Sequence, residues 1–461
     1  MINISRILHA GYLFESEIDG QNTKIVFDPI FENPFSRNCY AFPKVTFDET
    51  AIRNLELAAI FISHLHDDHC SLESLNLLKK SIPIYIYCQS EKTISLIREL
   101  GFLKVNTLNI NETIDVGEFK VTTRRALDHD IDSIFHIKFQ DLNILNVVDS
   151  WIDYQTLDLL LRETWDLVLW PFQTMREVEV LSPSRAGKAI RELPPEWIEQ
   201  LSRLRPKYLI PSSCQFIHEE WSWYNRALFP ISYMQFHNQM STALPEAQVI
   251  RLNPSDSRRL TKTDFIVSEA LTWVQVEGDP NVDYDFDDNM VPPTTSEISK
   301  HFAALTPQQT EFVYEYCKVS LVSTFEKLEP TQDKYFEIPK KWQLTIYDHL
   351  GCAKDFHFLV DLNKMRFLES SDPLNKVSLG WRTEVSIAKL FTALELGETL
   401  TSMYIRINDQ SFDLEIEAKL QEIDPLNDPL VRCLFNSNLA TYHDVQIQEI
   451  RKKKRLDLRA D

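Results

Sequence analysis

The sequence predicts an α/β protein, an αββα sandwich followed by a C-terminal α+β accessory domain. Three observations predict it. Residues 1–150 are short β-rich apolar runs separated by turns, with only two helical patterns among them. From residue 155 helical and strand patterns alternate. A break in composition over residues 278–296 then separates this region from one with strands and a helix of its own. Two strand-rich halves bury one face of each sheet when they stack with helices outside. At 461 residues the chain exceeds one ordinary core, so two or three domains are expected. A hydrophobic content of 44% is enough to fill them.

The strands expected in the first half are Lys24–Phe27, Ala58–Ser63, Pro83–Tyr87, Phe119–Thr123, Ile134–Phe139 and Ile144–Val148. Ser71–Lys80 and Ser90–Leu100 have helical spacing, each with a serine at the capping position. Gln155–Glu163 and Pro195–Leu204 read as helices, and Asp166–Trp170 and Tyr208–Pro211 as strands. The segment 278–296 combines turn formers, the acidic tract Asp283–Asp288 and Pro292-Pro293, the composition of a linker or strapping loop. Its Asp-x-Asp-x-Asp spacing lacks the glycine and terminal glutamate of a calcium loop, so it reads as a solvated acidic loop. The expected domains are therefore 1–277, the linker 278–296, and 297–461. In the last, Trp342–Asp348, Asp355–Asp361, Lys364–Glu369 and Met403–Ile407 read as strands, and Thr383–Leu396 as an amphipathic helix. Strand, strand, strand, helix faintly resembles sterol-carrier-like domains, and a cover or dimerisation module is the plainer reading. The basic run Arg451–Arg455 reads as a solvated helix end.

The formal net charge of −20 opposes non-specific binding to nucleic acid or anionic membrane. No apolar run reaches the roughly 18 residues of a membrane span. The N-terminus has no signal-peptide pattern. Seven cysteines, with no Cys-x-x-Cys, are expected as free thiols in a reducing cytoplasm.

The residues that carry chemistry are His64-Leu65-His66-Asp67-Asp68-His69, directly after the apolar run Ile60-Phe61-Ile62-Ser63. Three imidazoles and a carboxylate at a strand end can converge on a divalent ion such as Zn or Fe. The run resembles the metal motif of the metallo-β-lactamase superfamily. Other signatures follow in that family's order. His9-Ala10-Gly11-Tyr12-Leu13-Phe14 and the strand Ile25-Val26-Phe27 ending in Asp28-Pro29 are similar to the branch with ascorbate-6-phosphate lactonase-like and N-acyl-phosphatidylethanolamine phospholipase-like proteins. The resemblance covers roughly residues 1–260. It implies one or two divalent metal ions. His64, His66 and His129 would hold the first with Asp149, and Asp68 and His69 would face the second. Asp68 is also the candidate to orient or deprotonate a water, the catalytic role. Asp28 and Asp67 are candidates to hold imidazole tautomers, and His9 is a candidate near the site.

One departure stands out. The family's last histidine should follow the strand Tyr208-Leu209-Ile210-Pro211, where this chain has Ser212-Ser213-Cys214. His218 and Cys214 are the nearby substitutes, and Ser212 and Ser213 are pocket candidates. The same gap is similar to the metallo-β-lactamase-like part of CMP-N-acetylneuraminate hydroxylase. A Rieske cluster needs paired Cys and His loops, and this chain has none, so an oxygenase activity would need an electron-donor protein. Arg124-Arg125 could clamp an anion, with surface charge the plainer reading. Trp170, Phe172, Trp221 and Trp223 are pocket or core aromatics.

Three functions follow as expectations. The first is a metal-dependent hydrolase of a small ester, lactone, amide or phosphodiester acting through metal hydroxide. The second is an iron-dependent, diiron monooxygenase, and the third a non-enzymatic binding module. The expected partner is a small-molecule substrate, with no nucleic acid and no membrane span, and a homo-oligomer is open.

Overall fold

The computed structural model describes residues 1–172, 174–331, 334–420, 423–435 and 441–460, without the side chains of Thr441 and 454–460. Its contacts divide the chain into two units. The first holds residues 1–175, 190–286 and 443–461, and the second holds 176–189 and 287–442.

The first unit is a sandwich of two mixed sheets. One runs, in spatial order, Phe265–Val267, Ser257–Leu260, Ile2–Arg6, Tyr12–Ile18, Gln21–Phe27, Ala59–Ile62, Ile84–Ile86 and Val105–Thr107. The other runs Gln248–Val249, Tyr208–Ser212, Leu167–Pro171, Leu142–Asn146, Ser133–Phe139, Phe119–Arg125 and Thr113–Val116. Between them lies a closed apolar core that includes Phe14, Phe27, Phe61, Phe135, Ile144, Leu169 and Ile210. Among the strands of the first sheet not expected from the sequence, Ile2–Arg6 and Tyr12–Ile18 belong to this core through Ile4, Tyr12 and Phe14.

Strand direction sets where the site falls. Gln21–Phe27, Ala59–Ile62 and Ile84–Ile86 are parallel, as are Leu142–Asn146, Leu167–Pro171 and Tyr208–Ser212. Their carboxyl ends carry Asp28, Ser63-His64, Asp149 and Ser213-Cys214 in turn. In α/β sheets ligands collect beyond such ends. Arg6, fully buried, ties the two halves together there. Its guanidinium donates to the carbonyls of His9, Pro211, Leu252 and Ser213 at 2.7–3.2 Å. Tyr12 adds a hydroxyl bond to Ser212 Oγ at 3.0 Å, and Ser133 Oγ donates to Ser63 O at 2.7 Å.

Helices follow their caps. Ser71 and Ser90 accept from the backbone of Ser74 and Thr93, starting the helices Leu72–Leu77 and Glu91–Glu99. Asp153 does the same for Tyr154–Leu160.

The acidic segment is divided between the units after Phe286. Its first part is no free linker. Asp283 accepts from the Tyr233 and Met234 amides at the start of the helix Tyr233–Ala243, and buried Tyr284 donates to Phe216 O at 2.9 Å. A sequence window of acids and prolines does not reveal that one tyrosine anchors it.

The second unit centres on a five-stranded sheet, Met365–Phe367, Ala353–Val360, Lys340–Tyr347, Leu379–Ser386 and Arg406–Ile407. The helix expected over Thr383–Leu396 starts only at Ile387, because Thr383-Glu384-Val385-Ser386 pairs in parallel with Leu344–Tyr347. The β-branched pair within that stretch suits a buried strand. Buried Asp428 accepts from Trp381 Nε1 at 2.6 Å and caps the helix Pro429–Phe435 through Leu430 and Val431.

The last helix, Thr441–Ala460, returns to the first unit. His443 Nε2 donates to Cys70 O at 2.8 Å, Gln446 accepts from Leu72 N, and Arg451 binds Glu99. The basic run expected here is thus partly paired, and the side chains of Lys454 and Arg455 lie outside the described residues. No helix among the described residues is long and apolar enough to cross a membrane.

Burial pushes the His443 imidazole down to about 4, against the pull of its bond to Cys70. The folded pKa lies below the unfolded one, so the stabilisation is full above about pH 6.5 and is lost as the pH falls toward about 4. In urea unfolding, the stability difference between the protein and His443→Asn is expected to narrow by about 2 kcal/mol from pH 7 to pH 4. A pH-independent difference would contradict this.

Candidate metal centre

The site is assembled around one buried carboxylate. Asp28 Oδ1 accepts the Ser63 amide at 2.7 Å, and Oδ2 accepts the Ser63 hydroxyl at 2.7 Å and His69 Nδ1 at 3.1 Å. Since Ser63 gives its proton to Asp28, its oxygen accepts from His64 Nδ1 at 2.9 Å. Both imidazoles are thereby held with Nδ1 donating and Nε2 facing outward, the orientation a metal ligand needs. Gly11 makes room for this: a Cβ there would meet Asp28 O at 2.8 Å.

Two groups of ligand-type atoms result. His64, His66 and Asp132 form one, and His9, Asp68, His69 and Asp149 the other, with the atoms of each within 4.8 Å of one another. His64 Nε2 and His66 Nδ1 stand 2.9 Å apart, and Asp132 Oδ1 lies 3.9 Å from His64 Nε2. In the second group His69 Nε2 is 3.1 Å from Asp149 Oδ2 and 3.7 Å from Asp68 Oδ2. His64 and His69 are buried, with ring centroids 4.1 Å apart, so the groups adjoin.

Electrostatics call for a cation. Burial opposes ionisation of Asp149 and Asp68, yet the neighbouring imidazoles, His69 first, hold both well below the usual carboxylate range. Burial also opposes charge on His69, but Asp149 and Asp68 raise it well above the ordinary histidine value. His64, by burial and the charge of His69, is held neutral. Asp149 Oδ1 and Asp132 Oδ1 are buried with no hydrogen-bond partner. Buried carboxylate oxygens without donors are costly, and a divalent ion satisfies them. The donor set therefore fits one or two divalent metal ions.

Backbone strain marks the same edge. His9, Asp28, Val148, Ser213 and Cys214 all hold φ between 39° and 64°. For the β-branched Val148 that is a true outlier, and such residues concentrate where geometry serves function.

The structure brings together His64, His66, Asp68, His69 and Asp149, with Asp28 behind them and His9 in the second group. It does not bring His129. That side chain is 41% exposed, with Nε2 3.7 Å from Asp130, and Asp132 stands beside His64 and His66 instead. The loop Leu127–Asp132 turns so that Asp132, next to the strand Ser133–Phe139, points inward, its Oδ2 held by the Ser150 hydroxyl at 2.6 Å. The sequence carries no signal that singles out Asp132, because the Ser150 contact that holds it inward is 18 residues away.

Nor does His218 take the place of the missing last histidine. It is buried edge-on against Phe216 and Tyr224, outside both groups. Cys214 offers its amide rather than its thiol, to His9 Nδ1 at 3.0 Å. Ser212 and Ser213 serve the frame, accepting from Tyr12 and from the Phe172 amide. Among the described residues no imidazole donates a hydrogen bond to Asp67. It accepts from Ser36, and burial followed by the charge of Asp68 raises it to about 6. Arg124 binds Asn111 at 2.7 Å, and Trp170, Phe172 and Trp223 are buried core.

Solved structures similar to this chain include CmlA, a diiron β-hydroxylase from Streptomyces venezuelae, at 14% identity over 56% of this chain and 54% of that one, TM-score 0.37. Others are an isothiocyanate hydrolase from Delia radicum gut bacteria, at 15% identity over 56% and 99%, TM-score 0.38. The metallo-β-lactamase fold protein YhfI from Bacillus subtilis is similar at 12% over 56% and 99%, TM-score 0.35. The match spans about half the length of CmlA. No protein-family model and no curated protein matches the sequence. The likeness to CMP-N-acetylneuraminate hydroxylase rests on the motifs alone.

Asp132→Ala is expected to lower metal affinity at the first position about 10–100-fold or more, while His129→Ala leaves it within about 2-fold. Metal titration with a competing chelator checks both, and the opposite ranking would return His129 to the ligand set.

Proposed function

We propose that the protein is a dinuclear metalloenzyme acting on a small molecule, and that iron-dependent oxygenation is the activity its donor set supports best. The observation that carries this reading is Asp132 beside His64 and His66. Two imidazoles and one carboxylate with open positions suit non-haem Fe(II), and the second group adds two carboxylates, Asp68 and Asp149, beside His69. Iron held by these residues would supply O2 activation, with two electrons and two protons from a separate donor, so that one oxygen atom would enter substrate and the other leave as water. The chain's own residues hold the tautomers through Asp28 and Ser63, and keep Asp149 and Asp68 ionised through His69. Asp68 is 25% exposed, which leaves it able to orient a polar substrate group.

Hydrolysis is the second reading. Two histidines and a carboxylate also form a zinc set, and a zinc pair would make hydroxide available near neutral pH. Asp68 would then orient the attacking water.

Expression with parallel iron and zinc supplementation, followed by elemental mass spectrometry, separates the two. About two iron per chain, with a visible band that bleaches under reductant and returns with O2, is expected. About two zinc whatever the iron supply, with turnover of esters or lactones and no need of reductant, would overturn oxygenation in favour of hydrolysis.

A further inference from the structure

His9 stands where a fourth ligand of the second metal position would be sought. Its Nε2 is 3.2 Å from His69 Nε2 and 3.3 Å from Asp68 Oδ2. The far side of its ring decides what it can do there. His9 Nδ1 accepts the Cys214 amide at 3.0 Å, and an amide nitrogen can only donate. With that lone pair engaged, the hydrogen of the ring must sit on Nε2. The relation is the reverse of that in His64 and His69, whose Nδ1 atoms give protons to the Asp28–Ser63 pair and leave Nε2 free. Among these histidines, His64 and His69 turn toward the metal position an Nε2 that a bound metal can take, because Nδ1 keeps the ring proton, and His9 turns an Nε2 that must itself carry the proton.

The orientation of His9 is firmly held. Its backbone has φ 52°, its carbonyl accepts two bonds from the Arg6 guanidinium, and its ring packs against Phe35 and Phe216. Cys214, also at positive φ, is fixed from the other side, where the Tyr284 hydroxyl donates to its carbonyl. A ring clamped at one end by a backbone donor cannot flip to offer Nδ1 without leaving the Cys214 amide unpaired in the interior.

We propose that His9 is not a metal ligand but a hydrogen-bond donor, its Nε2–H aimed at the oxygen or nitrogen atom of whatever small anion or polar substrate group fills the second metal's remaining coordination position. This rests on the metalloenzyme reading above and holds for either the oxygenase or the hydrolase. It gives the second position three side-chain ligands, Asp68, His69 and Asp149, and leaves the rest of that ion open to an exogenous group.

The test uses the full chain loaded with Co(II), with azide as the probe. Wild type is expected to bind about two metal ions per chain and His69→Ala about one. His9→Ala and His9→Gln are expected to keep about two, with the Co(II) visible spectrum of wild type in the absence of azide. Azide affinity, read from that spectrum, is expected to weaken about tenfold in His9→Ala, the loss of one hydrogen bond, and to recover in His9→Gln, which restores an N–H. A fall to about one metal ion in both His9 variants, as in His69→Ala, would make His9 a ligand and overturn the proposal. Unchanged azide affinity in His9→Ala would overturn the donor role. Absence of bound metal in wild type would instead overturn the metalloenzyme reading itself, and the proposal with it.

Discussion

The site depends on the Asp28 carboxylate. Fully buried, it has no solvent to stabilise its charge and takes its donors from the neighbouring strand end: the Ser63 amide, the Ser63 hydroxyl and His69 Nδ1. Each of those bonds has a consequence further out. The hydroxyl bond turns the Ser63 oxygen into an acceptor for His64, and the imidazole bond turns His69 Nε2 outward. One anion therefore sets the tautomer of two histidines in adjoining groups. It can do so because parallel strands bring Phe27 and Phe61 into register, so that the residues after them meet beyond the same sheet edge.

The other half of the sandwich supplies the charge that the histidines balance. Asp149 follows the strand Leu142–Asn146, and Asp132 precedes the antiparallel strand Ser133–Phe139, so both lie at this edge. Arg6 and Ser133 stitch the two halves where the ligands gather. The geometry of the donor set is thus a property of the packed sandwich rather than of the His64–His69 loop alone, and rigid supports of this kind are what hold a metal position to useful tolerance.

Much of this was legible in the sequence, and the limits have physical causes. The His64–His69 run, Asp28 and Asp149 sit directly beyond strands, where local pattern fixes position. The two-sheet sandwich followed from short apolar runs whose period and spacing are visible in a window of a few residues. Asp132 and His9 were less legible because long-range packing places them. Which residue of the loop between two strands turns inward depends on Ser150 holding Asp132, a contact across 18 positions. What His9 can do depends on an amide 205 residues away. The acidic segment misled in the same manner, since its charge reads as solvation while Tyr284 anchors it. In the second unit, the helical pattern of Thr383–Leu396 extends over Thr383–Ser386, and parallel pairing with Leu344–Tyr347 overrides it there.

Two adjoining ions would be held by His64, His66 and Asp132 and by Asp68, His69 and Asp149. Anomalous diffraction from metal-loaded crystals tests this arrangement most directly. Two peaks are expected, the first about 2.0–2.2 Å from nitrogen and carboxylate atoms of His64, His66 and Asp132, with His129 outside bonding distance. A single peak, or a first ion bound by His129 with Asp132 turned away, would contradict it.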